Sequence, residues 1–234
     1  LIAFSRGLVI FVVNFFFVYF LLTGPAWMAR VSFAVSPPKQ TPTAQTITKT
    51  TAPAATPAIG ELPTPGQTTQ GLSFDTSQFS ALKESELSIP KIKVNQVPII
   101  WNSDPDEKIM LANLRDGVVH YKSTALPGAG GNTFVTGHSS YYWWAQGRFK
   151  TVFVLLDKLA NDDIVGLKFQ DQLYLYQVYD KKVVNPDQVE VTAPTLEPIL
   201  SLMTCVPIGT NLRRLVVQAK QIYPSAQGAI PSQP

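Results

Sequence analysis

The chain has 234 residues, room for one domain of ordinary size with attachments or for two very small ones. Only 15% of it is charged against 45% hydrophobic, where a soluble protein carries about 25% charged residues, so the composition reads as a mixture of unlike parts. Arg6, Arg30, Lys39, Lys49 and Glu61 carry the whole net charge of +3, and the fifteen basic and fifteen acidic residues of 72–234 cancel. A nucleic-acid binder concentrates basic charge on its folded domain, so that class is excluded. A single cysteine excludes an internal disulfide framework, and with only two histidines no zinc cluster is expected; neither a metal nor a cofactor is called for.

The first element is an uncharged run from Gly7 to Ala29, whose core GLVIFVVNFFFVYFLL is apolar throughout. At about 1.5 Å per residue it is long enough for a hydrocarbon layer about 30 Å thick. A secretory leader has a shorter apolar stretch and a small-residue cleavage site, so a retained single-pass anchor is expected over 7–29. Residues 1–6 are then a cytoplasmic tail, truncated if the natural chain starts at a Met. Arg6 and Arg30 flank the run one on each side and do not orient it by charge. Residues 36–71 hold ten Thr and seven Pro with nothing to bury, and an extended, disordered stalk is expected over 30–79, holding a domain outside the cell and away from the membrane. From residue 80 to 223 the pattern is that of a compact β-rich domain, with 224–234 as a flexible tail.

Within that domain Leu87–Val94 and Val97–Trp101 suggest two strands around Asn95-Gln96. Asp104-Pro105-Asp106-Glu107 resembles a helix start, with Asp104 as cap, Ile109 and Ala112 toward the core and Gly117 as the stop. Further strands are expected at Thr133–Gly137, Val152–Leu156, Ile164–Phe169, Leu173–Tyr179, Leu200–Thr204 and Leu215–Ile222. Many short strands with little helix between them predict an all-β antiparallel barrel or sandwich with one or two short helices.

Three polar residues stand at strand ends. His138 follows Phe134-Val135-Thr136-Gly137, Cys205 ends Leu200–Thr204, and Arg213 with Arg214 opens the last strand. Singly, a buried thiol, a hydrogen-bonded histidine and a solvated arginine would be the ordinary explanations. An exported domain gains little from an unpaired thiol, however, and the three together point to chemistry. A thiolate attacks an amide, an imidazole moves its proton, and a guanidinium stabilises the oxyanion.

The segments GVVHYKSTALPGAGGNTFVTGHSS (117–140) and LMTCVPIGTNLRRLVVQA (202–219) resemble the two signature regions of sortases, membrane-anchored cysteine transpeptidases of the bacterial cell surface. The resemblance covers about residues 85–222. It implies a closed eight-stranded β-barrel, with Cys205 as nucleophile, His138 as catalytic histidine and Arg214, nine positions after Cys205, as catalytic arginine. It further implies that His120, Thr204, Arg213, Val184 and Pro194 lie around the substrate, the last two on the loop Val184–Pro198 that shapes a Leu-Pro pocket. The implied substrates are secreted proteins with a C-terminal signal like Leu-Pro-any-Thr-Gly, cut between Thr and Gly, and the implied acceptor is an amine such as a cell-wall precursor. A lid and a second membrane segment of the pilin-polymerising group are not legible, and the insert Tyr141-Tyr142-Trp143-Trp144 stands outside the general pattern. Two rivals remain open from the residues alone. One is a non-catalytic binding module on a stalk, with Cys205 buried. The other is a different cysteine peptidase, although papain-like enzymes place Cys on a helix and before His, the reverse of the order here.

Overall fold

A computed structural model describes residues 2–36, 76–142 and 144–224. The expected stalk from 37 to 75, the tail from 225 onward and Trp143 lie outside the described residues. Eight strands close into a barrel: β1 (Glu86–Ile89), β2 (Val94–Ser103), β3 (Val118–Tyr121), β4 (Asn132–Thr136), β5 (Ile164–Phe169), β6 (Gln172–Val184), β7 (Ile199–Val206) and β8 (Arg213–Tyr223). The order around the barrel is β1-β2-β3-β4-β7-β8-β6-β5, with β5 returning to pair with β1. The barrel is closed as expected but not wholly antiparallel, because β2 pairs parallel with β3 and β4 with β7. Helix α2 (Glu107–Asn113) and loop crossovers provide the room those parallel pairings require.

Two of the expected strands appear where they were expected, β5 over the same residues and β6 longer by six. Tyr174, Tyr176 and Val178 turn into the core while Leu175 packs on the other face under Phe79 and Leu82. Four expectations are corrected. Val152–Leu156 is not a strand: Phe153 and Leu156 are fully buried in turns and a short 3-10 turn, since a brief all-apolar run need not alternate to be buried. The cap of α2 is Asp106, whose carboxylate accepts from the backbone N–H of Lys108 and Ile109, while Asp104 only supports it by accepting from the N–H of Asp106. The buried face is therefore Met110 and Leu114, one turn apart, and Ile109 is 45% exposed. Gly117 does not end this helix but opens β3, where a Cβ would lie 2.1 Å from the Pro98 carbonyl oxygen.

Helix α1 (Ile2–Val35) is long and apolar enough to cross a membrane, and Leu8 to Val18 present their side chains outward. It extends through Arg30–Val35, which had been assigned to the stalk. Those residues are held helical by the barrel itself: Ala26 is 1% exposed within the main core, and Ala29 and Phe33 pack beside it.

Candidate active site

Strands β4, β7 and β8 lie side by side, about 4.8 Å apart, and the site is built on that trio. In the antiparallel β7–β8 ladder Met203 faces Val216, Cys205 faces Arg214 and Val206 faces Arg213. Side chains alternate along each strand, and directly opposed residues share a face. Leu200, Leu202, Leu215 and Val217 belong to the barrel core. Cys205, Met203, Arg214 and Val216 are thus on the opposite, outer face. The Cys205 thiol is free and partly exposed.

The parallel β4–β7 ladder matches Thr136 with Met203. Beyond the strand it is carried further by hydrogen bonds: Gly137 N–H donates to the Met203 carbonyl (3.0 Å), and Thr204 Oγ1 donates to the Gly137 carbonyl (2.7 Å). His138 follows Gly137 just past β4, and carrying the Thr136–Met203 register forward two residues brings its backbone level with Cys205. Cys205 is thus paired with an arginine on β8, and the segment that carries the histidine runs along its other side. The His138 ring stacks on Tyr141, centroids 4.6 Å apart and planes 23° apart, and its carbonyl accepts from Phe153 N–H (2.9 Å). Burial pushes its pKa down to about 4, so the imidazole is neutral in the free protein near pH 7. The Arg214 guanidinium is held by donation to the Asn211 carbonyl (2.8 Å) and, more weakly, to that of Arg213 (3.3 Å).

The other expected residues are distributed differently. Arg213 is exposed on the far face of β8. Thr204 is 2% exposed and turned inward, and its hydrogen bond ties β7 to the segment carrying His138. His120 is paired with the core residue Val135 and fully buried, not near the outer-face pocket where it was expected. Asn102 N–H donates to its Nδ1 (3.3 Å), so Nε2 carries the proton and donates to the Ala125 carbonyl (3.0 Å), with Thr124 Oγ1 3.1 Å away. Its pKa is lowered by burial, against the raising effect of the Ala125 carbonyl. Val184 is buried directly opposite Arg214 at the end of β6, beside the site. Pro194 is exposed on the β6–β7 loop, which Asn132 Nδ2 anchors by donating to the carbonyls of Val191 and Ala193.

Tyr121 is the residue that sequence reading passed over. Adjacent to His120, it must face the other way, and its ring meets Phe134 edge-on at 5.1 Å on the outer face. Its pKa is raised, first by burial; Arg214 lowers it and Cys205 raises it, so it feels both charges of the site. The signal was available in the run Val118-Val119-His120-Tyr121, had it been read as a strand. Among the described residues no cluster of His, Cys, Asp or Glu could hold a metal ion.

The sortase domain profile matches residues 87–222. Sortase D of Bacillus subtilis (strain 168) is 27% identical over 152 residues, which cover 63% of this chain and 66% of that protein. The chain thus spans just under two thirds of that relative's length. Among solved structures, sortase C-1 of Actinomyces oris is similar at 27% identity with a TM-score of 0.48, over 58% of this chain and 71% of that one. A lid mutant of sortase A from Corynebacterium diphtheriae is similar at 28% identity with a TM-score of 0.49, over 62% and 74%.

Proposed function

The chain belongs to the sortase family, and on that premise we propose that it is a cysteine transpeptidase that cuts a sorting signal through a thioester on Cys205 and transfers the acyl part to an amine. The observation that carries this reading is Cys205 paired with Arg214 across β7–β8, with Gly137, the neighbour of His138, hydrogen-bonded to Met203 and Thr204 of the same strand. That arrangement also disfavours a binding module, which would have no use for a partly exposed thiol on a residue paired with an arginine.

The chemistry follows from the residue types. His138, neutral in the free protein, takes the thiol proton as Cys205 Sγ adds to the carbonyl carbon of a Thr–Gly amide, and the negative charge moves to the carbonyl oxygen. Arg214 is permanently charged and presents planar donors to that oxyanion. As the tetrahedral species collapses, the C–N bond breaks and His138 gives its proton to the departing amine, leaving a Cys205 thioester. An incoming amine then attacks the thioester, loses its proton to His138 and expels the thiolate. The apparent pKa values that govern this exchange belong to the thiol–imidazole pair, not to either group alone. Water in place of the amine would give hydrolysis, the activity of a thiol peptidase. Tyr141 holds the imidazole by stacking, and Tyr121 closes the other side of the site.

Substrates on this reading are secreted proteins ending in a signal like Leu-Pro-any-Thr-Gly, with Val184 and the loop through Pro194 beside the Leu-Pro portion. The acceptor is an amine of the cell envelope. Helix α1 serves as a single-pass anchor with the barrel outside the cell. The test is incubation of the protein with such a peptide and a glycine-based amine: a ligated product whose yield rises with amine concentration is expected. Release of the free acid alone at every amine concentration would make the enzyme a peptidase instead.

A further inference from the structure

The barrel is packed along α1, and the contacts run in order. Tyr19 Oη donates weakly to the Ile208 carbonyl (3.5 Å), and Thr23 Cγ2 lies 2.7 Å from where a Cβ on Gly209 would stand. Farther along, Arg30 forks onto both carboxylate oxygens of Asp157 (2.9 and 2.6 Å) and donates to the Val154 carbonyl (3.1 Å). Past the helix end, Lys93 Nζ donates to the Ser36 carbonyl (3.1 Å). From Tyr19 to Val35 the helix rises about 24 Å. The segment just after Cys205 therefore lies at the end of the barrel nearest the apolar half of α1, and Lys93 lies toward the other end.

That order constrains where the barrel can sit, given the reading of α1 as a membrane anchor. The β7–β8 loop carries polar backbone groups that do not lie in hydrocarbon, so the outer edge of the layer falls no farther along α1 than its contacts with that loop. Tyr19 and Thr23, and with them Ile208 and Gly209, then fall at the outer edge of the bilayer. The nearby surface has the composition of an interfacial contact. Ser140 Oγ accepts from Gly209 N–H (2.8 Å), which brings the aromatic insert to the same level. In that insert Tyr142 and Trp144 are 51% and 57% exposed and stacked on one another at 4.9 Å and 22°. Leu212 is 66% exposed on the following loop, next to the exposed Arg213. Tyr and Trp prefer the headgroup layer because the ring is apolar and its tip polar, and a basic side chain beside them meets lipid phosphate.

We propose that Tyr142, Trp144 and Leu212 form a second membrane contact, so that the catalytic end of the barrel rests in the outer headgroup layer of the bilayer that α1 crosses. The exposed aromatic pair is continuous with the site through Tyr141, which stacks on His138 and lies 5.5 Å from Tyr142. Cys205 would then work at the lipid surface rather than at the end of a stalk.

The test uses the full chain carrying Cys205→Ala, reconstituted in phosphatidylcholine–phosphatidylglycerol vesicles, with a nitroxide placed in turn at Val13→Cys, Gln146→Cys and Asn95→Cys. Collision with oxygen against a water-soluble nickel chelate reports depth. The Val13 label should favour oxygen strongly, the Gln146 label should show an intermediate, headgroup-level ratio several-fold above that of Asn95, and the Asn95 label should be fully accessible to nickel. A Gln146 label as water-exposed as Asn95, with Val13 still in hydrocarbon, overturns the proposal and leaves the anchor standing. A Val13 label open to nickel overturns both. As a second measurement without a label in the loop, Trp144→Phe should lower the fraction of tryptophan emission quenched by brominated lipid, and an unchanged fraction counts against the contact.

Discussion

The chain's two histidines stand on neighbouring strands and are held in opposite ways. His120, on β3, is fully buried, with Nδ1 accepting from Asn102 and Nε2 donating to Ala125. His138, just past β4, is only partly buried, with its ring face on Tyr141, level with Cys205 on the outer surface. Both have lowered pKa values because both are desolvated, so a perturbed pKa alone does not separate them. What separates them is the face of the strand. A histidine whose nitrogens are both committed to the backbone holds a turn together; one that shares a face with a thiol can move a proton.

This comparison can be broken most sharply by substitution. His138→Ala and Cys205→Ala should each remove detectable transpeptidation of a sorting peptide while leaving the thermal transition near that of the parent; turnover surviving either change would contradict the assignment. Arg214→Lys comes next, with an expected loss on the order of 10²–10³ in kcat, because an ammonium cannot reproduce a planar fork on the oxyanion. Arg213→Ala should differ little, since that side chain is exposed on the opposite face of β8. If Arg213→Ala is the inactive variant, the site register is off by one. His120→Gln should do the reverse of His138→Ala. Stability should fall by about 1–3 kcal/mol as a buried hydrogen-bonded group is lost, with kcat nearly retained under folding conditions, as chemical denaturation and steady-state assays would show.

The smallest expected effect is on pH dependence. The folded pKa of each histidine is below the ordinary 6.5, so below about pH 6.5 the unfolded chain binds protons that the folded chain does not, for His138 down to about pH 4. Stability from these groups is present above pH 6.5 and is lost as the pH falls through that window. His138→Gln should flatten this part of the Tm-against-pH curve. An unaltered slope would mean that burial of the His138 ring is not felt in solution.

Much of the barrel was legible because its longer strands are runs rich in β-branched and aromatic residues bounded by turn signals, as in β5 and β6. The positions of His138, Cys205 and Arg214 at strand ends were legible for the same reason. Strand β3 was not: with Val118, Val119 and His120 all buried, it shows no alternation, and Tyr121 was passed over with it. Parallel pairing leaves no mark in a single strand, so the mixed topology was invisible. The apolar run at Val152–Leu156 resembled a strand because burial in a turn leaves the same composition. Nor could composition show that Arg30–Val35 continues a helix: those residues read as the start of a stalk until Asp157, far along the chain, supplies a partner for Arg30. A contact at that separation is a tertiary fact.

The central claim is that Cys205 carries the acyl group between donor and acceptor. Intact-protein mass spectrometry, after mixing the full chain with a sorting peptide in the absence of amine, tests it directly. The account predicts a mass increase equal to the acyl portion of the peptide, mapped to Cys205, lost on addition of hydroxylamine or a glycine-based amine, and absent from Cys205→Ala. Turnover of the peptide with no adduct on Cys205, or with an adduct that persists in Cys205→Ala, would contradict it.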